Sequence, residues 1–193
     1  MGNKKSVNKI LLNELVDADL NNLDMDSFGE SLLWLIPSIE GLVDMIDDQV
    51  VKMANIRYMP YVTAEEQCEY VINSICVKND LVNVYNVFTY WYGRLNDKNK
   101  ELFDAYFKAK NVRVYKCKDR YIKPLIRAFV TYLRIMLDGH ERELIKNPYI
   151  NSIYIETLTY NQSMIDRKIW TKNKGVRHDC TANAKRHSWG IWY

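Results

Sequence analysis

Glycine and proline are scarce in this chain, seven and four respectively among 193 residues. A β-sandwich needs turn residues about every eight to twelve positions, so such sparse punctuation argues against one and in favour of helices. Cysteine is equally thin. Cys68, Cys76, Cys117 and Cys180 form no CxxC pair and no dense framework, which argues against a disulfide-stapled scaffold and leaves buried core thiols as the expected role of Cys68 and Cys76. Neither a signal-peptide core nor an apolar run of about eighteen residues is present. The expected protein is therefore soluble, reduced and cytoplasmic, with no membrane partner. Catalytic signatures are missing too: there is no GxGxxG, Walker-type loop, HExxH or GxSxG, and no nucleophile, base and orienter stand out together. That combination reads as a protein without chemistry and without a cofactor.

What is present is apolar mass and a charge gradient. Hydrophobic residues make up 48% of the chain, enough for one substantial core with or without a satellite. Residues 1–50 hold three basic and ten acidic side chains, residues 51–100 six and five, residues 101–150 eleven and six, and residues 151–193 seven and three. A net charge of +3 thus conceals an acidic front and a basic back. Either the basic back meets an external polyanion, or complementary halves pack together within one chain or between subunits.

Periodicity predicts helices through most of the chain. "ILLNELVDADL" carries a short helical pattern. From Ser27 to about Met53, Leu32, Leu35, Ile36, Ile39, Leu42, Val43, Ile46 and Val50 recur three or four apart, with Pro37 placed to kink or divide the helix. Glu40, Asp44, Asp47 and Asp48 fall mostly on its other, solvated side. Thr63 and Glu66 form a capping box that predicts a helix from Ala64 to about Val77. A further helix is expected over "DLVNVYNVFTYWYGRL", where Leu81, Val84, Tyr85, Phe88 and Trp91 keep helical spacing and Tyr90-Trp91-Tyr92 suits a core or subunit contact. Asn96 punctuates, Asp97 is the expected cap of the next helix, and Leu102, Phe103, Tyr106 and Phe107 form its buried stripe.

Residues 110–127 concentrate seven of the twenty-seven Lys and Arg against one acid. They lead into Ile122, Leu125, Ile126, Phe129, Val130, Leu133, Met136 and Leu137, an amphipathic helix that begins near Asp119 to Lys123, because Pro124 is expected only in a first turn, and ends at Asp138-Gly139. Arg120, Lys123, Arg127 and Arg134 stack along one side of it. A basic lead followed by a basic helix face can lie along phosphate oxygens.

The stretch "LNDKNKELFDAYFKAKNVRVYKCKDRYIKPLIRAFVTYLRIML", residues 95–137, resembles the C-terminal part of small phage late-gene transcriptional activators and the promoter-reading helix-turn-helix domain of sigma factors. Glu101, Leu102, Phe103, Tyr106 and Phe107 stand where the first helix's signature falls. The resemblance implies binding to double-stranded promoter DNA, with contact to RNA polymerase. Arg120, Lys123 and Arg127 would touch bases or phosphates, and Lys108, Lys110, Arg113, Lys116 and Lys118 the backbone. It divides the chain into an acidic helical region at 1–60, a helical domain with a helix-turn-helix-like unit at 61–139, and a basic, aromatic arm at 140–193 that could serve dimerisation.

In that arm "NSIYIETLTY" alternates apolar and polar residues, so a short β-hairpin near 150–160 competes with helix in an otherwise all-α helical bundle. Lys172, Lys174, Arg177, Lys185 and Arg186 mingle with Trp189, Trp192 and Tyr193. This mixture suits stacking on single-stranded nucleic acid or, as the preferred reading, an aromatic plug for a groove. His178, Cys180 and His187 are irregularly spaced and one ligand short of a zinc site, so no metal is expected. Two functions compete: a DNA-binding regulator, and a non-enzymatic structural or interaction protein of viral type that associates through aromatic helices.

Overall fold

The computed structural model describes residues 22–55, 62–107 and 119–173, the side chains of 119 and 164–173 excepted. The described residues form an all-α bundle: α1 (Met25–Leu35), a 3-10 turn (Ile36–Ser38), α2 (Ile39–Asn55), α3 (Ala64–Gly93), α4 (Asp97–Phe107), α5 (Asp119–Leu137), α6 (Glu141–Leu144) and α7 (Pro148–Asn173).

Local signals place most of the boundaries. Asp24 caps α1, its carboxylate accepting from the Asp26 and Ser27 amides at 3.1 and 3.4 Å. Pro37 breaks the first long helix, as expected, into α1 and α2 across the 3-10 turn. The Thr63–Glu66 capping box opens α3. That helix does not stop near Val77 but runs 30 residues to Gly93, because nothing between Val77 and Leu81 can interrupt it. Asn96, and not Asp97, caps α4, accepting from the Asn99 amide at 2.9 Å. Pro124 lies in the second turn of α5 and not the first. The residue is exposed, so water can serve the carbonyl that loses its partner. Asp138 and Gly139, both at positive φ (49° and 78°), end α5.

Of the hairpin and helix readings left open near 150–160, the helix holds: those residues belong to α7. Asn147 and Pro148 supply its start, with Asn147 Oδ1 accepting from the Tyr149 amide at 3.1 Å and proline at the first helical position. Burial of Ile150, Tyr154 and Thr157, four and three apart, overrides the alternation of β-branched residues. Cys68 and Cys76 are exposed, not core thiols. The stripe that is buried in this part of α3 passes through neighbouring positions instead.

The core gathers around α5, whose Ile122, Leu125, Ile126, Phe129, Val130 and Leu133 are all buried and which packs on α1, α3 and α4. Aromatic rings fill the space beneath it. Trp91 lies 5.2 Å from Phe129 and 5.9 Å from Phe103, Phe103 lies 4.6 Å from Phe107, and Phe107 lies 5.1 Å from Trp34. One of these contacts is edge-on and three are tilted, all within the range of roughly 4.5–7 Å in which aromatic pairs attract. On its other side α1 packs on α7, where Phe28 meets Tyr154 edge-on at 6.1 Å and Asn161 Nδ2 donates to Ser27 Oγ at 2.8 Å.

At Gly29 the helices α1 and α5 approach so closely that an added Cβ would overlap Val130 and lie 2.9 Å from Ile126 Cγ2. Alanine there gains about 1 kcal/mol of helix propensity but overpacks the contact, at a typical cost of about 1–3 kcal/mol. Gly29→Ala is expected to lower unfolding stability in urea by about 1 kcal/mol. Val130→Ala in the same chain should recover part of that loss, since it removes the overlapping methyl groups.

Candidate interaction surfaces

Two surfaces stand out: the basic side of α5, and a helical hairpin formed by α2 with the first half of α3. On α5, Arg120 and Lys123 are exposed, and no ion pair joins either to another described residue. Arg127 grips Asp26 bidentately, Nε to Oδ1 and Nη2 to Oδ2, both at 2.8 Å. Arg134 pairs with the buried Glu141. The cationic row read from the sequence is therefore real, yet two of its four members are engaged by the protein's own carboxylates. One of these, Asp26, belongs to the acidic front. Lys108, Lys110, Arg113, Lys116 and Lys118 lie outside the described residues, as does the corner of the expected helix-turn-helix. So do His178, Cys180, His187 and the aromatic end of the chain.

Arg127's hydrogen bonds hold the Asp26 carboxyl below its ordinary 3.8, partly opposed by burial and reinforced by the charges of Arg127 and Lys123. A carboxylate with a depressed folded-state pKa contributes stability above its unfolded value, and that contribution is lost as pH falls through the folded value. The loss should start below about pH 4. Arg127 is exposed and Asp26 half-buried, so solvent screening keeps the effect small. Asp26→Asn is expected to lower stability at neutral pH and to make the acid-side decline shallower, as read by urea unfolding across an acid pH series.

The hairpin is built by two matched stripes. Ile39, Val43, Ile46, Val50 and Met53 on α2, and Val71, Ser74, Lys78, Leu81 and Tyr85 on α3, step by alternating threes and fours and are all buried or half-buried. This is the spacing of a paired-helix seam. Polar contacts pin its register. Gln67 donates to the Met53 carbonyl, Tyr70 to Gln49 at 3.2 Å, Lys78 to Asp47 at 2.6 Å, and Tyr85 to Glu40 at 2.9 Å. The hydrogen bond to Glu40 also raises the Tyr85 phenol's pKa. At the hairpin's base Asn147 ties it to the bundle by donating to the Val77 carbonyl at 3.1 Å.

Beside the seam runs a second apolar row that stands exposed among the described residues. Ile72 and Ile75 on α3 and Val51 on α2 are 59%, 42% and 58% exposed. An open cleft of about 330 Å³, lined by Ile39, Glu40, Val43, Asp44, Val82 and Tyr85, lies at the base of the hairpin. Ile75 sits one heptad outward from Val82, and Val51 one heptad outward from Asp44, so the cleft continues along the hairpin as one band. Exposed Cys68, Glu69, Asp44 and Asp48 border it. Over residues 39–80 the sequence carries eight acidic and three basic side chains. Asn79 falls between Ile75 and Val82, and Glu40 and Asp44 line the cleft itself, so the band is an apolar row on α3 facing an acidic side on α2. The signal for it in the sequence was the irregularity of the apolar positions near Cys68, Val71, Ile75 and Cys76, which is two adjacent stripes superposed.

Among the described residues no helix is long and apolar enough to cross a membrane, and no group of three or more His, Cys, Asp or Glu side chains is placed to hold a metal ion. No protein-family profile, curated protein or solved structure matches this chain.

Proposed function

We propose that this chain is a non-enzymatic interaction protein that docks an amphipathic helix on the acidic, apolar band of its α2–α3 hairpin. The observation that carries the reading is the contiguity of Val51, Ile72 and Ile75 with the cleft at Val82, on a helix pair whose own seam is already filled. Apolar surface of this kind gains about 25 cal/mol per Å² when covered. A helix with an apolar stripe laid along a two-helix groove is a recurrent way to cover it. The carboxylates of Asp44, Asp48 and Glu69 at the margins select a partner with cations beside its stripe. The aromatic cluster supports this role, since Phe88 and Trp91 anchor the other half of α3 in the core.

A photoreactive side chain placed at Ile72 is expected to form adducts in cells that the same group at exposed Ser152, on α7, does not. Charge reversal at Glu65 and Glu69 should deplete those adducts severalfold. Equal adducts from the two sites would refute the reading.

Exposed Arg120 and Lys123, with no ion pair to another described residue, favour a second reading, that of a DNA-binding regulator. It extends the resemblance to phage late activators and sigma factors and takes double-stranded DNA, with RNA polymerase, as partner. It predicts duplex binding that weakens steeply with salt. Neutralising Lys116, Arg120 and Lys123 together should reduce both the affinity and the salt slope, the slope by about 3. Unchanged binding after the triple substitution, or none at low salt, would rule this reading out.

A further inference from the structure

The outward side of α5 complements the hairpin band in both respects that matter. Around this helix the residues fall into three sectors. The buried row faces the core. The cationic row, Arg120, Lys123, Arg127 and Arg134, lies to one side. Between them on the solvent side run Tyr121, Pro124, Ala128, Thr131 and Ile135, spaced by threes and fours and all exposed. Tyr121 and Ile135 are 63% and 71% exposed, and Met136 beside them is 52% exposed. Tyr90 of α3 adds a further exposed ring, stacked on Tyr132 at 5.8 Å. The helix carries four basic residues and one acidic residue. It is thus an amphipathic helix with cations beside its apolar row, the chemistry required of the occupant of the hairpin band.

The lengths agree as well. The 17 residues from 64 to 80 of α3 span about 25 Å and the 19 residues of α5 about 28 Å at the helical rise. Pairing the hairpin with a second hairpin fits poorly by comparison, because each carries eight acidic against three basic side chains and the two would repel. Within one chain α5 cannot reach over the band, since its buried row holds it in the core beside α1, α3 and α4.

We infer that copies of this chain associate head to tail, the α2–α3 hairpin of one copy lying along the outward side of α5 of the next. The inference rests on the proposed function and names the partner helix. The interface is heterologous: each copy offers one donor and one acceptor surface, so association runs on into a ring or a filament rather than stopping at a two-fold dimer. Opposed charges at the margins make it sensitive to salt.

Sedimentation of the full chain tests this. Mass is expected to rise above the monomer with concentration, and the association constant to fall about tenfold or more between low and high salt. A hairpin variant, Glu69→Lys with Ile72→Gln, and an α5 variant, Lys123→Glu with Ile135→Gln, change only exposed side chains, and circular dichroism checks that each remains helical. Each alone should stay monomeric. Mixed in equal amounts they should form a one-to-one heterodimer and go no further, because one intact interface remains. As a second arm, joining Glu65→Lys and Glu69→Lys to Arg120→Glu and Lys123→Glu in one chain exchanges the two charges and should restore association.

A wild-type chain that stays monomeric, a single variant that associates as the wild type does, or a mixture that stays monomeric overturns the inference. So does an α5 face that takes duplex DNA while the copies remain apart. If Ile72 cross-links specifically to a different protein and the chain is monomeric, this inference fails and the proposed function stands. If Ile72 yields no specific adduct at all, both fail.

Discussion

The bundle is organised by the close approach of two helix backbones at Gly29. With no side chain there, α1 settles against Val130 and Ile126 of α5, which brings Phe28, Leu32 and Leu33 into the core at almost zero exposure. The opposite side of α1 is then free to receive α7, through the Phe28–Tyr154 contact and the hydrogen bond from Asn161 to Ser27. A helix of only 11 residues thus joins the central helix to the C-terminal one. Its burial on both sides explains why Ser27 and Ser31, polar and small, are among the buried residues. Each has a hydroxyl partner, Asp24 at 2.7 Å and the Phe28 carbonyl at 2.7 Å, as buried polar groups require.

The same packing decides what becomes of the charge gradient. Bringing α1 onto α5 sets Asp26 of the acidic front against Arg127 of the basic back, so part of the polarity visible in the sequence is consumed within the molecule. The remainder stays outside. Most of the hairpin's carboxylates, Asp44, Asp48, Glu65 and Glu69 among them, stay in water, and Arg120 and Lys123 keep their cations there. Acid on the hairpin and base on a distinct helix face thus remain separate, each open to water.

The hairpin illustrates how a long helix can serve two environments. From Leu81 inward α3 is core, with Leu81, Val84, Val87 and Trp91 buried, whereas before Leu81 none of its residues is fully buried. Two helices touching along one seam bury little surface, and a pair of this size would be marginal alone. Continuity with the core half of α3 anchors it. That continuity allows an apolar row to remain exposed without unfolding the element that carries it.

Much of this could be read from residue order alone. The all-α class, the Pro37 break, the Thr63–Glu66 box, the buried stripe of α5 and its Asp138-Gly139 end all follow from periodicity and capping, which are local interactions. Elsewhere local patterns misled. Alternating Ile153 and Ile155 left strand and helix both open until packing on α1 selected a helix, and Cys68 and Cys76 looked like core thiols until α2 took the neighbouring stripe. Which of two apolar rows is covered, and which of four cations meets a carboxylate from a hundred residues away, depends on contacts between distant segments. Sequence determined the helices and their charges, because those arise within a few residues. Only the tertiary structure decided which faces remained open to solvent, because burial is a property of what lies opposite.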